Sequence, residues 1–343
     1  MTVSLHQRVP EARPRSLGVI IPVFNERAVL PQTLERLQVV FSQLDLRAEA
    51  LFVDDGSQDG SAEFLIKARS RYPFVRLVRL SRNFGKEAAL TAGLDLADYD
   101  AVVVLDADLQ DPPELIPQMV EQWQAGIDVV LMQRRSRAGE SALKRLSAHV
   151  YYRLLRRLSH VDIPNDTGDF RLLSRRAVDA MRQLPERNRY MKGLFAWIGL
   201  PTVVLSYDRD PRAAGASKWD YLGLMQLALD GITSFSISPL RLAMLAGLVA
   251  SLLGGAFGLW IVCKALLLGS EVQGYPSLMA MLTFLGGIQL LAIGIVGEYV
   301  GKTYLESKQR PTYLVRDITA SAQSMPAPQP IPADEAPLHA KVR

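Results

Sequence analysis

The chain has 343 residues, with 39 Lys and Arg against 35 Asp and Glu and a net charge of +4. That length leaves room for one large domain and an appendage. So slight a positive balance, with no basic patch interleaved with aromatics, does not indicate nucleic-acid binding. The single Cys263 lies in an apolar run and the 4 histidines are scattered, which excludes a disulfide framework and a zinc site.

Residues 1–16 read as a disordered lead. They are polar, carry Pro10 and Pro14, and lack the apolar core of a signal peptide, so the domain after them is expected in the cytoplasm. A first strand starts at Leu17 and runs through Pro22 to Phe24, followed by Asn25-Glu26 and a helix over about 30–44. Leu51-Phe52-Val53 is a short second strand ending in Asp54-Asp55-Gly56-Ser57. Gly56 permits a tight turn, and Ser57, Asp59 and Ser61 are expected to cap the next helix. Val75 to Leu80 is a third strand, Ser81 to Lys86 a polar connection and Glu87 to Leu96 a helix.

The centre of the chain is Val102-Val103-Val104-Leu105, which reads as a strand buried on both faces. It stops on Asp106-Ala107-Asp108, with Gln110, Asp111 and a Pro pair behind them. Open α/β sheets place ligands beyond the carboxyl ends of their strands. Carboxylates this close repel unless something positive sits between them. A divalent metal answers that, and oxygen ligands favour Mg²⁺ or Mn²⁺. A capped turn into the helix over Pro113 to Ala125 is the plainer alternative. Another strand follows at Asp128 to Met132. Strands alternating with helices give an α/β domain with a mainly parallel sheet and helices on both faces. No Gly-x-Gly-x-x-Gly follows the first strand. Gly297 to Thr303 is one residue short of a phosphate-binding loop and follows an apolar helix.

Downstream, Arg134, Arg135 and Arg137 open a basic loop. Leu143, Leu146, Val150, Leu154 and Leu158 then recur at helical spacing among Lys and Arg. This is either a solvated charged face or an amphipathic helix on anionic headgroups, and the apolar runs that follow favour the second. Asp166 to Arg171 reads as an acidic turn before a helix at Ser174. Arg212, Ser217 and Lys218 lie on a Gly-bearing stretch that is either a polar linker or a loop able to wrap an anion. Leu242 to Cys263 and Val272 to Gly297 are uncharged and long enough for a bilayer core of ~30 Å. Arg241 before the first run, and Lys302, Lys308, Arg310 and Arg316 after the second, put both ends in the cytoplasm. The tail from Thr319 is rich in Ala and Pro and is expected to be disordered.

Pro22-Val23-Phe24-Asn25-Glu26, Asp54-Asp55-Gly56-Ser57 and Asp106-Ala107-Asp108 together resemble the family-2 glycosyltransferases of the GT-A fold. Asp106 to Pro113 and Gly168-Asp169-Phe170-Arg171-Leu172 resemble the polyprenyl-phosphate branch, related to dolichol-phosphate mannose synthases. Arg82 to Glu87, Pro185-Glu186-Arg187-Asn188 with Met191-Lys192-Gly193, and Gly274 to Leu278 are most similar to bactoprenol glucosyltransferases.

The resemblance implies a UDP-sugar donor, undecaprenyl phosphate as acceptor, membrane lipids as partners and a homotetramer. It implies inverting transfer of a hexose, glucose foremost, for surface polysaccharide modification. Pro22, Asn25, Glu26, Asp54, Asp55 and Asp106 are expected to bind the nucleotide sugar, with Arg82 and Lys86 as further contacts. Asp106, Asp108 and Gln110 are the expected ligands of Mg²⁺ or Mn²⁺. Asp108 and Asp169 are the expected catalytic residues, Asp169 as a positioning group rather than a base. Arg134, Arg135, Arg137, Arg171, Arg212, Ser217 and Lys218 are candidates for the acceptor phosphate.

The expected plan is a lead over 1–16 and a GT-A domain over 17–220 with a basic interface helix at 134–160. A juxtamembrane helix at 221–238, a transmembrane hairpin over 239–301 with spans at about 242–263 and 275–297, and a cytoplasmic tail over 302–343 complete it. The protein is expected in the inner membrane. Transfer of mannose, N-acetylglucosamine or aminoarabinose on the same scaffold, and a non-catalytic membrane scaffold, are the rival readings. A processive synthase is disfavoured because no Gln-x-x-Arg-Trp is present.

Overall fold

The computed structural model describes residues 15–135, 167–187, 189–208, 233, 236–268 and 274–321. Most of the expected interface helix at 134–160 and of the juxtamembrane helix at 221–238 lies outside the described residues. So do Arg137, Arg212, Ser217 and Lys218.

Strands and helices alternate through β1 (Ser16–Val23), α1 (Leu30–Ser42), β2 (Arg47–Asp54), α2 (Ser61–Ala68), β3 (Val75–Leu80), α3 (Lys86–Leu96) and β4 (Ala101–Val104). A short 3₁₀ turn at Pro113–Leu115 leads into α4 (Ile116–Gln124) and β5 (Val129–Arg134). Then come β6 (Thr167–Ser174), α5 (Arg175–Arg182), α6 (Met191–Trp197) and β7 (Thr202–Tyr207). The long helices α7 (Ser238–Leu268) and α8 (Tyr275–Ser307) follow, and β8 (Val315–Thr319) ends the described chain's elements.

The sheet has 8 strands in the order β7-β5-β6-β4-β1-β2-β3-β8. Its centre, β4-β1-β2-β3, is wholly parallel, and β6 is inserted antiparallel between β4 and β5. Period-2 alternation sends Leu17, Val19, Ile21 and Val23 of β1 to one core layer and Ile20 to the other. β2 and β4 split in the same way, so the central strands are buried on both faces as their β-branched runs require. Against the first layer lies α1, whose Leu30, Leu34 and Leu37 recur at helical spacing and are fully buried. Replacing Leu34 by Ala would cost about 2–5 kcal/mol through lost burial and a cavity.

Three strands differ from the sequence reading. The segment read as a turn at Gly168–Arg171 is part of β6, because the ladders of β4 and β5 flank it on both sides. β7 extends the sheet beyond β5. β8 pairs antiparallel with β3, and beyond it Ser321 is buried and donates to Glu49 at 2.8 Å. Glu49 also accepts from Tyr99 at 2.8 Å and Arg47 at 2.7 Å. Residues 319–321, where the tail expected to be disordered begins, are therefore held by the sheet edge and a buried carboxylate.

Both long helices exceed the expected spans. Within them, Ser238–Trp260 and Phe284–Ser307 are long and apolar enough to cross a membrane, and neither window is buried in the protein. At their polar end Tyr299 donates to the carbonyl of Ser236, and Lys302 to Thr233.

Candidate active site

The carboxyl ends of β1, β2 and β4 open side by side, with β1 between the two acid-bearing strands. After β1 the chain turns at Asn25, whose φ of 56° lies in the left-handed region that Asn tolerates. This loop is stitched to the loop after β2. Asn25 N donates to Ser57 Oγ at 2.9 Å, Glu26 N to Ser61 Oγ at 3.2 Å and Arg27 N to Asp59 Oδ2 at 2.9 Å. Gln58 N returns a bond to Asn25 Oδ1 at 2.8 Å. Ser57, Asp59 and Ser61 thus join two loops, while α2 is entered through Gly60 with no side-chain cap.

Asp54 and Asp55 are buried, at 2% and 3% exposure. Asp55 accepts Phe84 N–H at 2.7 Å and Gly85 N–H at 2.8 Å, and Asp54 accepts Ser57 N–H at 3.3 Å. Burial pushes both carboxyls above the usual range, and these N–H bonds oppose it. Gly56 (φ 76°) lies against the same neighbour. A Cβ there would stand 2.8 Å from the backbone of Arg82 and Asn83, so the two turns meet only through a glycine. Arg82 lies over the Phe84 ring at 4.5 Å.

The second acid turn is built differently. Asp106 and Asp108 are half-buried. Between Asp108 and Gln110 the buried Leu109 has a φ of 56°, a conformation that costs a non-Gly residue about 1–3 kcal/mol and recurs at functional sites. Gln110 N donates to Asp108 Oδ1 at 3.2 Å, closing the turn. Lys86, the first residue of α3, brings its ammonium to 2.7 Å from Asp106 and 2.5 Å from Asp169 on β6. Burial opposes the charge on Asp169, but Lys86 and Lys192 outweigh it and hold the carboxyl well below the usual range. Neighbouring Glu87 is pushed up to about 7 by burial and by the Asp169 charge, and accepts Met191 N–H at 3.2 Å.

Arg171 is buried at 2% exposure. It donates to the carbonyls of Gly168 at 2.7 Å and Asp169 at 3.3 Å and lies 4.0 Å over the Phe195 ring. This geometry serves a structural role and offers no open cation. Arg134 is turned inward. It lies 3.9 Å from Asp111, which also accepts from Tyr207, and its guanidinium is 3.0 Å from where a Cβ on Gly168 would stand. Arg135 sits at the surface, 3.6 Å from Asp208.

One site thus contains Asn25, Asp54, Asp55, Lys86, Asp106, Asp108 and Asp169, with Arg134 at its border. Glu87 and Asp111 had a signal in the sequence, since each adjoins a named motif residue. Tyr207 had none: it lies far along the chain and reaches Asp111 only because β7 pairs with β5.

Residues 18–182 match the family profile described as Glycosyl transferase family 2, and residues 238–303 match one described as GtrB C-terminal hairpin. The bactoprenol glucosyl transferase of Shigella phage SfV is 42% identical over 301 residues, covering 88% of this chain and 98% of that protein. The chain belongs to glycosyl transferase family 2. A prophage bactoprenol glucosyl transferase homolog of Escherichia coli K12 is 41% identical over 302 residues, covering 88% of this chain and 99% of the homolog. An uncharacterized glycosyltransferase of Synechocystis is 46% identical over 302 residues, with 88% and 95% covered. The crystal structure of glucosyl-3-phosphoglycerate synthase from Mycobacterium tuberculosis gives a TM-score of 0.46 at 22% identity, covering 64% of this chain and 78% of that one. In this glycosyltransferase the acids of both turns, Lys86 and Asp169 all fall inside the family segment. Tyr207 lies between the two matched segments and β8 beyond both.

Proposed function

We propose that this glycosyltransferase moves glucose from UDP-glucose to undecaprenyl phosphate, inverting the anomeric carbon, at the cytoplasmic face of the inner membrane. The observation that carries the reading is the Lys86 bridge, which unites the acid turn after β4 with Asp169 in one site. The names of the relatives at 41–42% identity supply the sugar and the carrier.

Asp54 and Asp55, with Pro22, Asn25 and Glu26, hold the nucleotide in the stitched cradle, and Arg82 flanks it. Asp106, Asp108 and Gln110 would hold Mg²⁺ or Mn²⁺. They fit such an ion: all donors are oxygens on one turn, and an ammonium already stands beside Asp106. Among the described residues no three or more His, Cys, Asp or Glu side chains gather closely enough to hold a metal ion by themselves. Mg²⁺ held by one or two carboxylates usually takes substrate phosphates as well, which suits a nucleoside-diphosphate donor. When bound, the ion supplies charge stabilisation for the departing UDP.

The nucleophile is an oxygen of the acceptor phosphate, ionised near neutral pH. It bonds to the anomeric carbon as the bond to UDP breaks, and no proton has to be removed. Asp169, kept ionised by Lys86, orients rather than deprotonates. Arg134 and Arg135 stand closest to this role among the acceptor-phosphate candidates described. Arg137, Arg212, Ser217 and Lys218 complete that set.

The helices α7 and α8 form a transmembrane hairpin with both ends in the cytoplasm. Support comes from β8, which follows α8 and pairs with the sheet that precedes α7, and from the basic residues beside both helices. Protease accessibility in oriented vesicles tests the topology. Sedimentation in detergent tests the tetramer that the resemblance implies.

The deciding experiment uses purified full-length protein in detergent with undecaprenyl phosphate, Mg²⁺ or Mn²⁺, and a panel of radiolabelled nucleotide sugars. Lipid-soluble label from UDP-glucose alone, abolished by EDTA, supports the proposal. Label from another donor keeps the reaction and overturns the sugar. Folded protein that labels lipid from no donor overturns the reading.

A further inference from the structure

The motif Pro185 to Asn188 has no role in the reaction described above, yet its Arg187 is the point where α8 grips the catalytic domain. Arg187 N donates to Glu306 Oε1 at 2.8 Å, Arg187 Nε donates to the Arg310 carbonyl at 2.9 Å, and its guanidinium lies 3.9 Å from Glu306 Oε2. Glu306 is the penultimate residue of α8. The loop it holds is stiffened by Arg189, which donates to the carbonyls of Glu186 at 2.9 Å and Leu184 at 2.8 Å. The loop ends at the buried pair Tyr190 and Met191, where Met191 N–H meets Glu87 at 3.2 Å. Glu87 follows Lys86 in the first turn of α3, and Asp55 holds the entry to that turn through Gly85.

We propose that Glu306 is a positioning residue: by fixing the Arg187 loop it holds the first turn of α3, and so keeps the Lys86 ammonium between Asp106 and Asp169. The end of a membrane helix then sets the geometry of the reacting centre. The role assigned to Lys86 rests on the transfer reaction proposed above, whereas the contact chain does not.

The test is hydrogen exchange and steady-state transfer on full-length protein in detergent, for the wild type and for Glu306→Ala, Glu306→Gln and Tyr313→Phe. Tyr313 donates to Asp95 at 3.0 Å, at the opposite end of α3, and serves as the control. In Glu306→Ala, amide exchange is expected to quicken at 86–88 and 191–193 while the central strands stay protected. Its kcat is expected to fall about tenfold, within what a displaced group costs, with KM for UDP-glucose nearly unchanged. Glu306→Gln retains an acceptor oxygen and should restore both readouts. Tyr313→Phe should leave exchange at 86–88 as in wild type. The proposal is overturned if Glu306→Ala loosens only 306–321, or if the Tyr313 variant loosens 86–88 equally. Faster exchange at 86–88 in protein that transfers no sugar would keep the contact chain and sink the transfer reaction.

Discussion

The two acid turns do the same thing in sequence and opposite things in structure. Each ends a buried strand with a pair of carboxylates. At the first, backbone N–H groups of fixed loops hold Asp54 and Asp55, and almost none of either is exposed. At the second, Asp106 meets a flexible side chain, Lys86, whose own side chain is 43% exposed. Backbone donors cannot be exchanged without unfolding the loop, whereas an ammonium on a four-carbon stem can be. The first turn is held by its own backbone, as the proposed nucleotide cradle requires. At the second, the Asp106 partner is a side chain that can move aside, as the proposed metal binding requires, while Asp108 accepts the Gln110 N–H of its own turn.

Removing the exchangeable side should cost most in rate. Asp108→Ala is expected to lower transfer by about 10²–10³-fold, the loss seen when a stabiliser of developing charge is removed. Melting temperature should stay near wild type, and Mn²⁺ binding followed by electron paramagnetic resonance should weaken. Unchanged transfer would erase the distinction between the turns.

Asp55→Ala should cost stability instead. The N–H groups of Phe84 and Gly85 lose their acceptor, which costs about 2 kcal/mol. Denaturant unfolding should show it, together with a raised KM for UDP-glucose.

Lys86→Met probes the exchange itself. We expect kcat to drop about tenfold and metal to bind more readily without nucleotide. Lys86 also lowers the Asp169 carboxyl below 3.8. The stability this contributes is complete above about pH 4 and is lost as pH falls further. The gap in melting temperature between wild type and variant should therefore close in acid.

Glu87→Gln is the mildest change. The Glu87 carboxyl rises from 4.5 to about 7, so the stability it adds at low pH is lost as pH rises through 7. Gln stays neutral. The two proteins should melt alike near pH 4.5, and the variant a few degrees higher at pH 8.

The acid turns were legible because they sit at the ends of β-branched runs, where periodicity and chemistry point to one place. The apolar helices were legible from length alone. β6 was not, since Gly168, Asp169 and Arg171 carry no strand pattern. Only the pairing with β4 and β5, and the stacking of Arg171 on Phe195, make that segment extended. The inward turn of Arg134 was not legible, because Asp111 and Tyr207, which it faces, are distant in sequence. β8 was hidden by its shortness and by the Ala- and Pro-rich stretch after it.

Because Leu77 pairs with Thr319, this sheet is finished in an unusual order. β3 leaves the ribosome early and keeps an open row of N–H and C=O groups until both apolar helices have been made. Such an edge templates association between neighbouring nascent chains. The last strand is made only after both apolar helices, so a chain cut short of it keeps that open edge.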